Sequence, residues 1–198
     1  MGSLPPLILN TSVGAPTDVF VYGSKSAHVA PGLGKNEALT SSAELYAPLS
    51  AIRNWRRVLS QFHQEEFVYD GHTFATAEHA WHYAKLQAVD QAALAQEFAI
   101  ESNSPLSRES PQKAKSAGGK NGIYRMSKSE IARWEAVLTE RIADVLYAKF
   151  SQSPVARKVL IATRDATLFH LLSRVARGRN LQPVPWLEKV RARIVAET

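Results

Sequence analysis

The stretch that opens at Ser127 constrains the fold most. Ser127-Lys-Ser-Glu130 has the spacing of a capping box, in which the serine hydroxyl and the glutamate carboxylate satisfy each other's backbone N–H groups. Behind it Ile131, Trp134, Leu138, Ile142, Val145 and Leu146 recur at helical spacing, which predicts one long helix to about Ser151 with this stripe buried. The rest of the chain has to supply the cover for that stripe.

The other elements are mostly helical. Ser110-Pro111 starts a helix that stops at Gly118-Gly119, and Ser153-Pro154 starts another through Ala162; proline at the first helical position forfeits no hydrogen bond. Thr76 caps a helix from about Ala77 to Ala88, and Asp90 caps one over 91–100. Ala43 to Val58 reads as a helix broken near Pro48. Asp165 caps a helix over Ala166–Ala176, Arg177-Gly-Arg-Asn180 turns, and Pro185 opens the last helix with Leu187, Val190 and Ile194 inward. Residues 101–110 read as a loop. Strands are few. Asp18 to Gly23 is one, and Phe67-Val-Tyr69 and Thr73-Phe-Ala75 flank Asp70-Gly71, a hairpin signal. Strands do not alternate with helices, so a doubly wound sheet is not expected. The expected class is mainly α with a small β-sheet or hairpin, as a single compact domain over 17–198. Residues 1–16, rich in Pro, Ser and Gly, are expected to be disordered or loosely attached.

The 198 residues suit one domain with a sizeable core. The absence of cysteine excludes disulfides, thiolate metal sites and a cysteine nucleophile. Neither a membrane-length apolar run nor a secretory signal is visible, so an intracellular location, cytoplasmic or nuclear, is expected. A net charge of +6 favours polyanionic partners. Basic residues gather at Lys113, Lys115, Lys120, Arg125 and Lys128, and again at Arg174, Arg177, Arg179, Lys189, Arg191 and Arg193. Either group is equally compatible with a solvated face.

Glu78 and Lys85 are seven positions apart on the helix after the hairpin. At about 100° per residue they return to one azimuth, separated by ~10 Å along the axis. Trp81 and His82 lie between them on the same side. The helix dipole favours the Glu78 carboxylate, so acid catalysis by it would require burial. Lys85 attacks a carbonyl only when neutral, a state that desolvation in an apolar cleft promotes. An exposed face carrying a loose charge pair fits the same residues. His79 and His82 have a spacing that two metal ligands can use, but no third ligand is near, and packed or hydrogen-bonded histidines fit better.

Upstream, Gly32-Leu-Gly34-Lys35 allows close backbone approach, and Ser24, Lys25 and Ser26 add hydroxyls and a charge, so a diphosphate fits there; so does an ordinary surface loop. Asn54-Trp55-Arg56-Arg57 combines a stacking face with guanidinium groups suited to phosphate, although a core tryptophan is the commoner use of such a residue. Nucleophile-elbow, dinucleotide and kinase motifs are missing.

Leu59-Ser60-Gln61-Phe62, Phe67 to Gly71, Glu78-His79 with Lys85, Ser110-Pro111, Lys115, Gly118, Trp134, Ala148-Lys-Phe-Ser-Gln152 and Leu160-Ile-Ala-Thr163 together resemble the NADAR (YbiA-like) family. The likeness covers roughly 52–195, and Phe20 to Glu37 with Asn54-Trp55-Arg56 resembles its longer members. It implies a compact, largely helical fold and hydrolysis of N-glycosidic bonds. Two activities go with the family: removal of ADP-ribose from the amino group of guanine in nucleic acid, and cleavage of ribosylamino-pyrimidine phosphates of the riboflavin pathway. A non-catalytic ADP-ribose-binding module is a third reading. Glu78 and Lys85 are the expected catalytic pair. The expected ligand contacts are Ser24, Lys25, Ser26, Gly32, Gly34 and Glu37 in the upstream loop, Trp55 and Arg56, and Ser60, Gln61, His82, Gly118 and Trp134 in the matched motifs. No metal, cofactor or membrane is expected; the expected partner is an ADP-ribose-containing substrate, such as ADP-ribosylated nucleic acid. Where riboflavin-linked members carry an acidic Asp-x-Tyr-Trp-Gly-x-Gly stretch, this chain has Arg174-Val-Ala-Arg-Gly-Arg-Asn-Leu181, which suits a larger anionic substrate. His82 stands where many members have glutamine, and Gln61 where many have asparagine.

Overall fold

The computed structural model describes residues 17–171 and 181–198. The capping box forms as the spacing predicts: Ser127 accepts from the Glu130 N–H, and Glu130 accepts from the Ser127 N–H at 2.7 Å. It opens α6 (Lys128–Gln152), whose buried side starts at Trp134 and runs through Ile142, Val145 and Leu146 to Lys149 and Phe150. Ile131, expected in that stripe, is exposed in the first turn, and Leu138 is half-buried.

Around α6 pack α3 (Ala77–Gln87), α7 (Pro154–Ala162) and α8 (Pro185–Ala196). Side-chain caps start several helices. Thr76 caps α3, Ser110 caps α5 (Pro111–Ala117) and Ser153 caps α7, with proline at the start of the last two. On α8, Leu187, Val190 and Ile194 face the core.

The hairpin pairs β2 (Phe67–Tyr69) with β3 (His72–Phe74). Asp70 and Gly71 both take positive φ, 51° and 76°, as a two-residue turn matched to strand twist requires. A second sheet has the order β1 (Val19–Tyr22), β4 (Thr167–Leu171), β5 (Leu181–Pro183). β1 runs parallel to β4, with Tyr22 opposite His170, and β5 is antiparallel to β4.

β4 corrects the helix expected over 166–176. Arg164 takes a left-handed φ of 50° just after α7, and the chain then turns to extend beside β1 with Leu168 fully buried. Residues 172–180, including the expected turn and Arg174, Arg177 and Arg179, lie outside the described residues, as do residues 1–16. Two other helices are shorter than expected. Ala43 to Val58 divides into a 3₁₀ turn, α1 (Ala47–Ser50) and α2 (Trp55–Val58). The breaks lie on either side of Pro48, at Tyr46 and after Ser50, with Pro48 itself in the first turn of α1, and Asn54 is left-handed at φ 58°. α4 covers only Ala92–Gln96; Asp90, left-handed at φ 62°, receives Arg133 at 2.6 Å instead of capping the helix. Within the loop at 101–110 are two 3₁₀ turns.

One cluster of buried side chains runs from Phe20 on β1 to Ile194 on α8. No described helix is long and apolar enough to cross a membrane.

Candidate active site

α3 follows the hairpin directly, and two tethers fix its start. The Thr76 hydroxyl accepts from the His79 N–H at 3.4 Å, and the Glu78 N–H donates to the Gln61 carbonyl at 3.1 Å. The turn bearing Gln61 is itself anchored from α6. Lys149, fully buried, donates to the Val58 and Ser60 carbonyls at 2.7 and 2.8 Å, and burial pushes its amine down to about 7.

Glu78 and His82 are buried, at 6% and 5% exposure, and Lys85 is half-buried. Trp81 is half-buried and meets Trp134 edge-on at 6.2 Å. The two histidines of the helix take separate partners. The His79 ring lies between the Thr76 hydroxyl (2.8 Å) and the Leu106 carbonyl (3.2 Å), so it is a packed, hydrogen-bonded histidine. The His82 Nε2 faces Glu78 Oε1 at 3.3 Å.

Burial is the main influence on His82 and pushes it below the usual histidine range; Glu78 opposes this, while Lys85 and Lys115 add to it. A neutral ring donating its Nε2–H to the carboxylate leaves Nδ1 as a bare lone pair. Nδ1 is indeed buried and has no hydrogen-bond partner. Gly118 lies directly on this ring, where any Cβ would overlap imidazole atoms. The Gly118 carbonyl accepts from Lys85 Nζ. Burial lowers the Lys85 pKa below that of an ordinary lysine, against an upward pull from Glu78. Glu78 and Lys85 thus share a face and a field, yet pair with His82 and Gly118 respectively rather than with each other.

Residues outside the expected set border this face. His170 on β4 stacks on Tyr22 at 5.2 Å and 23°. Burial depresses its pKa, Lys115 adds to the effect and Glu78 opposes it, so it shares the electrostatic field of the α3 stripe. Lys115 sits over the Phe62 ring at 5.5 Å. Lys115 was visible in the basic cluster of α5. His170 was hidden by the helical reading of its segment; the β-prone run Thr-Leu-Phe-His-Leu was the available signal.

The upstream loop is arranged differently from the expected cradle. Gly32 and Gly34 do present their N–H groups to an anion, but it is the protein's own Glu37, at 3.1 and 3.0 Å. Glu37 also accepts from the Val21 N–H at 3.2 Å and from Arg56 Nε and Nη2 at 2.7 and 2.6 Å. Arg56 donates further to the Val29 and Ala30 carbonyls. Trp55 is fully buried against Phe20, so no base can stack on it. Ser26 offers its carbonyl to Arg57 at 2.8 Å, Lys25 is exposed, and Ser24 lines a neighbouring recess. Ser60 is buried and accepts from the Phe62 N–H, and Trp134 is nearly buried against Trp81. The structure therefore brings together Glu78, His82, Lys85, Gly118 and the Ser60–Gln61 turn, and sets Gly32, Gly34, Glu37, Trp55 and Arg56 apart as a clamp on the β1 side. Of the second basic cluster, Arg191 points inward to Thr163 and the Ala166 carbonyl, while Lys189 and Arg193 are exposed.

The fold resembles the NMR structure of the E. coli protein YbiA, with a TM-score of 0.53 and 23% identity, over 72% of this chain and 80% of that one. No curated protein sequence matches the chain. The NADAR domain model matches residues 46–174, a span that contains Glu78, His82, Lys85, Gly118 and His170. With that span covering well over half of its length, the chain belongs to the NADAR family.

Proposed function

We infer that this protein is a hydrolase that removes ADP-ribose from the exocyclic amino group of guanine. NADAR membership suggests an N-glycosidase-like activity. The observation that carries the hydrolase reading is Lys85, a half-buried amine with a lowered pKa on the same helical face as a buried carboxylate, a pair suited to a ribose C1 joined to an exocyclic amine.

In such a substrate the ribose C1 is bonded to an exocyclic nitrogen. Ring opening breaks C1–O4, forms a C1=N imine and puts a proton on O4. Neutral Lys85 Nζ adds to C1 and loses a proton. Glu78, moving protons, lets the guanine amine depart as a neutral amine, which leaves C1 joined to Lys85 as a Schiff base. Water adds to C1, the lysine amine is expelled and the sugar ring recloses. Neutral His82 holds Glu78 in place through the 3.3 Å contact. The Lys85 to Gly118 hydrogen bond keeps the amine on the substrate side in the resting state.

The test is incubation with ADP-ribosylated guanosine or DNA, measuring free ADP-ribose, with borohydride added in parallel. Release together with a trapped adduct on Lys85 is the expected result. Absence of release by folded protein, or turnover confined to ribosylamino-pyrimidine phosphates, overturns the reading. Release that survives Lys85→Ala retains the reaction but moves the chemistry to water activated by Glu78.

A further inference from the structure

The outer face of α7 carries a stripe that the core does not use. Pro154, Arg157, Lys158, Ile161 and Ala162 recur at helical spacing, which places them on one side of the helix. Ala156, Val159 and Leu160 take the opposite side and are buried. Facing the outer stripe are Leu45 and Pro48, from the 3₁₀ turn and α1, and Arg164 just past the end of α7. The groove between them holds about 530 Å³, a size typical of ligand sites. No residue of α3 lines it, so it is separate from the acid–amine face.

The groove is aliphatic inside and cationic at its border. Leu45 is 44% exposed, Pro48 and Pro154 are exposed, and Ile161 and Ala162 are half-buried, so apolar surface meets solvent along both walls. An exposed apolar patch bordered by polar groups marks a place where a partner sits. Arg157, Lys158 and Arg164 supply three positive charges, and among the described residues no carboxylate lines the groove. Lys158 and Arg164 make no hydrogen bond or ion pair among the described residues. Arg157 donates to the Thr198 hydroxyl at 2.8 Å, a neutral acceptor that fixes the guanidinium without cancelling its charge. Neighbouring acids have other partners. Glu44 accepts from Ser42, Asp165 acts on Arg191, and Glu197, which Arg157 influences, accepts from Tyr147 and Arg193.

These two features select the occupant. Unanswered positive charge favours an anionic partner and speeds its encounter. The aliphatic walls favour one with apolar side chains to bury. A second copy of this chain, at net charge +6, is repelled. Single-stranded nucleic acid has the charge, but its bases gain most from aromatic platforms, and among the described residues no aromatic ring lines the groove.

We propose that this groove is a docking surface for an acidic peptide segment of another protein, anchored by a leucine-type side chain between Leu45 and Ile161, with its carboxylates on Arg157, Lys158 and Arg164. The proposal stands apart from the hydrolase reading, because the groove shares no residue with the candidate active site.

The experiment is a fluorescence-polarisation titration of the full chain against a labelled peptide of glutamates flanking two leucines. Saturable binding is expected, weakening as salt is raised. Lys158→Glu combined with Arg164→Glu is expected to weaken it at least tenfold, and Leu45→Ser about tenfold. All three positions are exposed, so both variants should keep the parental melting temperature. A peptide of the same charge with serines in place of the leucines should bind at least tenfold more weakly. Absence of binding, or an affinity unchanged in either variant, overturns the proposal. Equal affinity for the two peptides reduces the groove to a general charge effect and also overturns it. An oligothymidylate of matched charge that binds more tightly than the leucine peptide, and is lost in the charge-reversed variant, overturns it in favour of nucleic acid.

Discussion

Two buried acid–base groupings sit on neighbouring parts of this molecule, built from similar residues and arranged to opposite effect. In the clamp, Glu37 receives three backbone N–H groups and a two-pronged arginine, and the side chains of Arg56 and Glu37 are 3% and 0% exposed. Its charges are fully answered. On α3, Glu78 meets a neutral imidazole, Lys85 a single carbonyl, and the Nδ1 of His82 nothing at all. A satisfied pair rigidifies a loop and has little left to offer a ligand. An under-satisfied set is less stable and better able to exchange partners with a substrate. Burial alone does not distinguish a site from a strut; the state of its hydrogen bonds does.

The sharpest way to break this contrast is to delete the reactive groups. Lys85→Ala is expected to lower the rate of ADP-ribose release by about a thousandfold, and Glu78→Gln by ~10²–10⁴-fold. Both should keep near-parental melting temperatures; a large loss of stability with unchanged specific activity would make α3 the strut instead. Next in size is the clamp. Arg56→Ala strands a buried carboxylate and is expected to cost about 3–5 kcal/mol in denaturant unfolding, while whatever fraction remains folded keeps its kcat. A stable Arg56→Ala protein with a selective rise in KM would instead return Arg56 to the ligand.

Gly118→Ala tests whether the glycine belongs to the site. Its added methyl must displace the His82 ring, with an expected cost of about 1–3 kcal/mol and a fall in activity larger than that stability loss explains. The mildest probe is pH. A lysine whose pKa is lowered becomes neutral at lower pH than an exposed one, so the Schiff-base step should accelerate as pH rises through that lowered pKa and then level off. The pH–rate profile, read beside the titration of the labelled Lys85 amine by NMR, checks the sign. A rate that falls over the same interval contradicts a neutral nucleophile.

What could be read in the chain alone was whatever depends on nearest neighbours. The Asp70-Gly71 turn, the caps at Thr76, Ser110, Ser127 and Ser153, and the common azimuth of Glu78 and Lys85 are all local in sequence, and the structure has each of them. β4 was misread because its extended conformation depends on β1, far away in sequence, and local propensity says nothing about so distant a partner. The glycine loop illustrates a different limit. Its N–H groups do bind an anion, but the composition of the loop does not reveal that Glu37, three residues after Gly34, is that anion. Likewise Trp55 and Arg56 are adjacent residues suited to stacking and phosphate, and only the packing of Phe20 against Trp55 shows them to be interior.

The parallel pairing of β1 with β4 has a consequence for how the protein comes into being. Val19 meets Thr167 only after all the chain between them has been made, so this ladder closes a very long loop and belongs to the slow, late part of folding. The Tyr22–His170 stack is therefore among the last features to appear. A shortened chain cut to 46–174 would retain β4 but lose both β1 and β5. Two bare strand edges would then face solvent, and such a fragment is expected to self-associate through them rather than serve as a minimal enzyme.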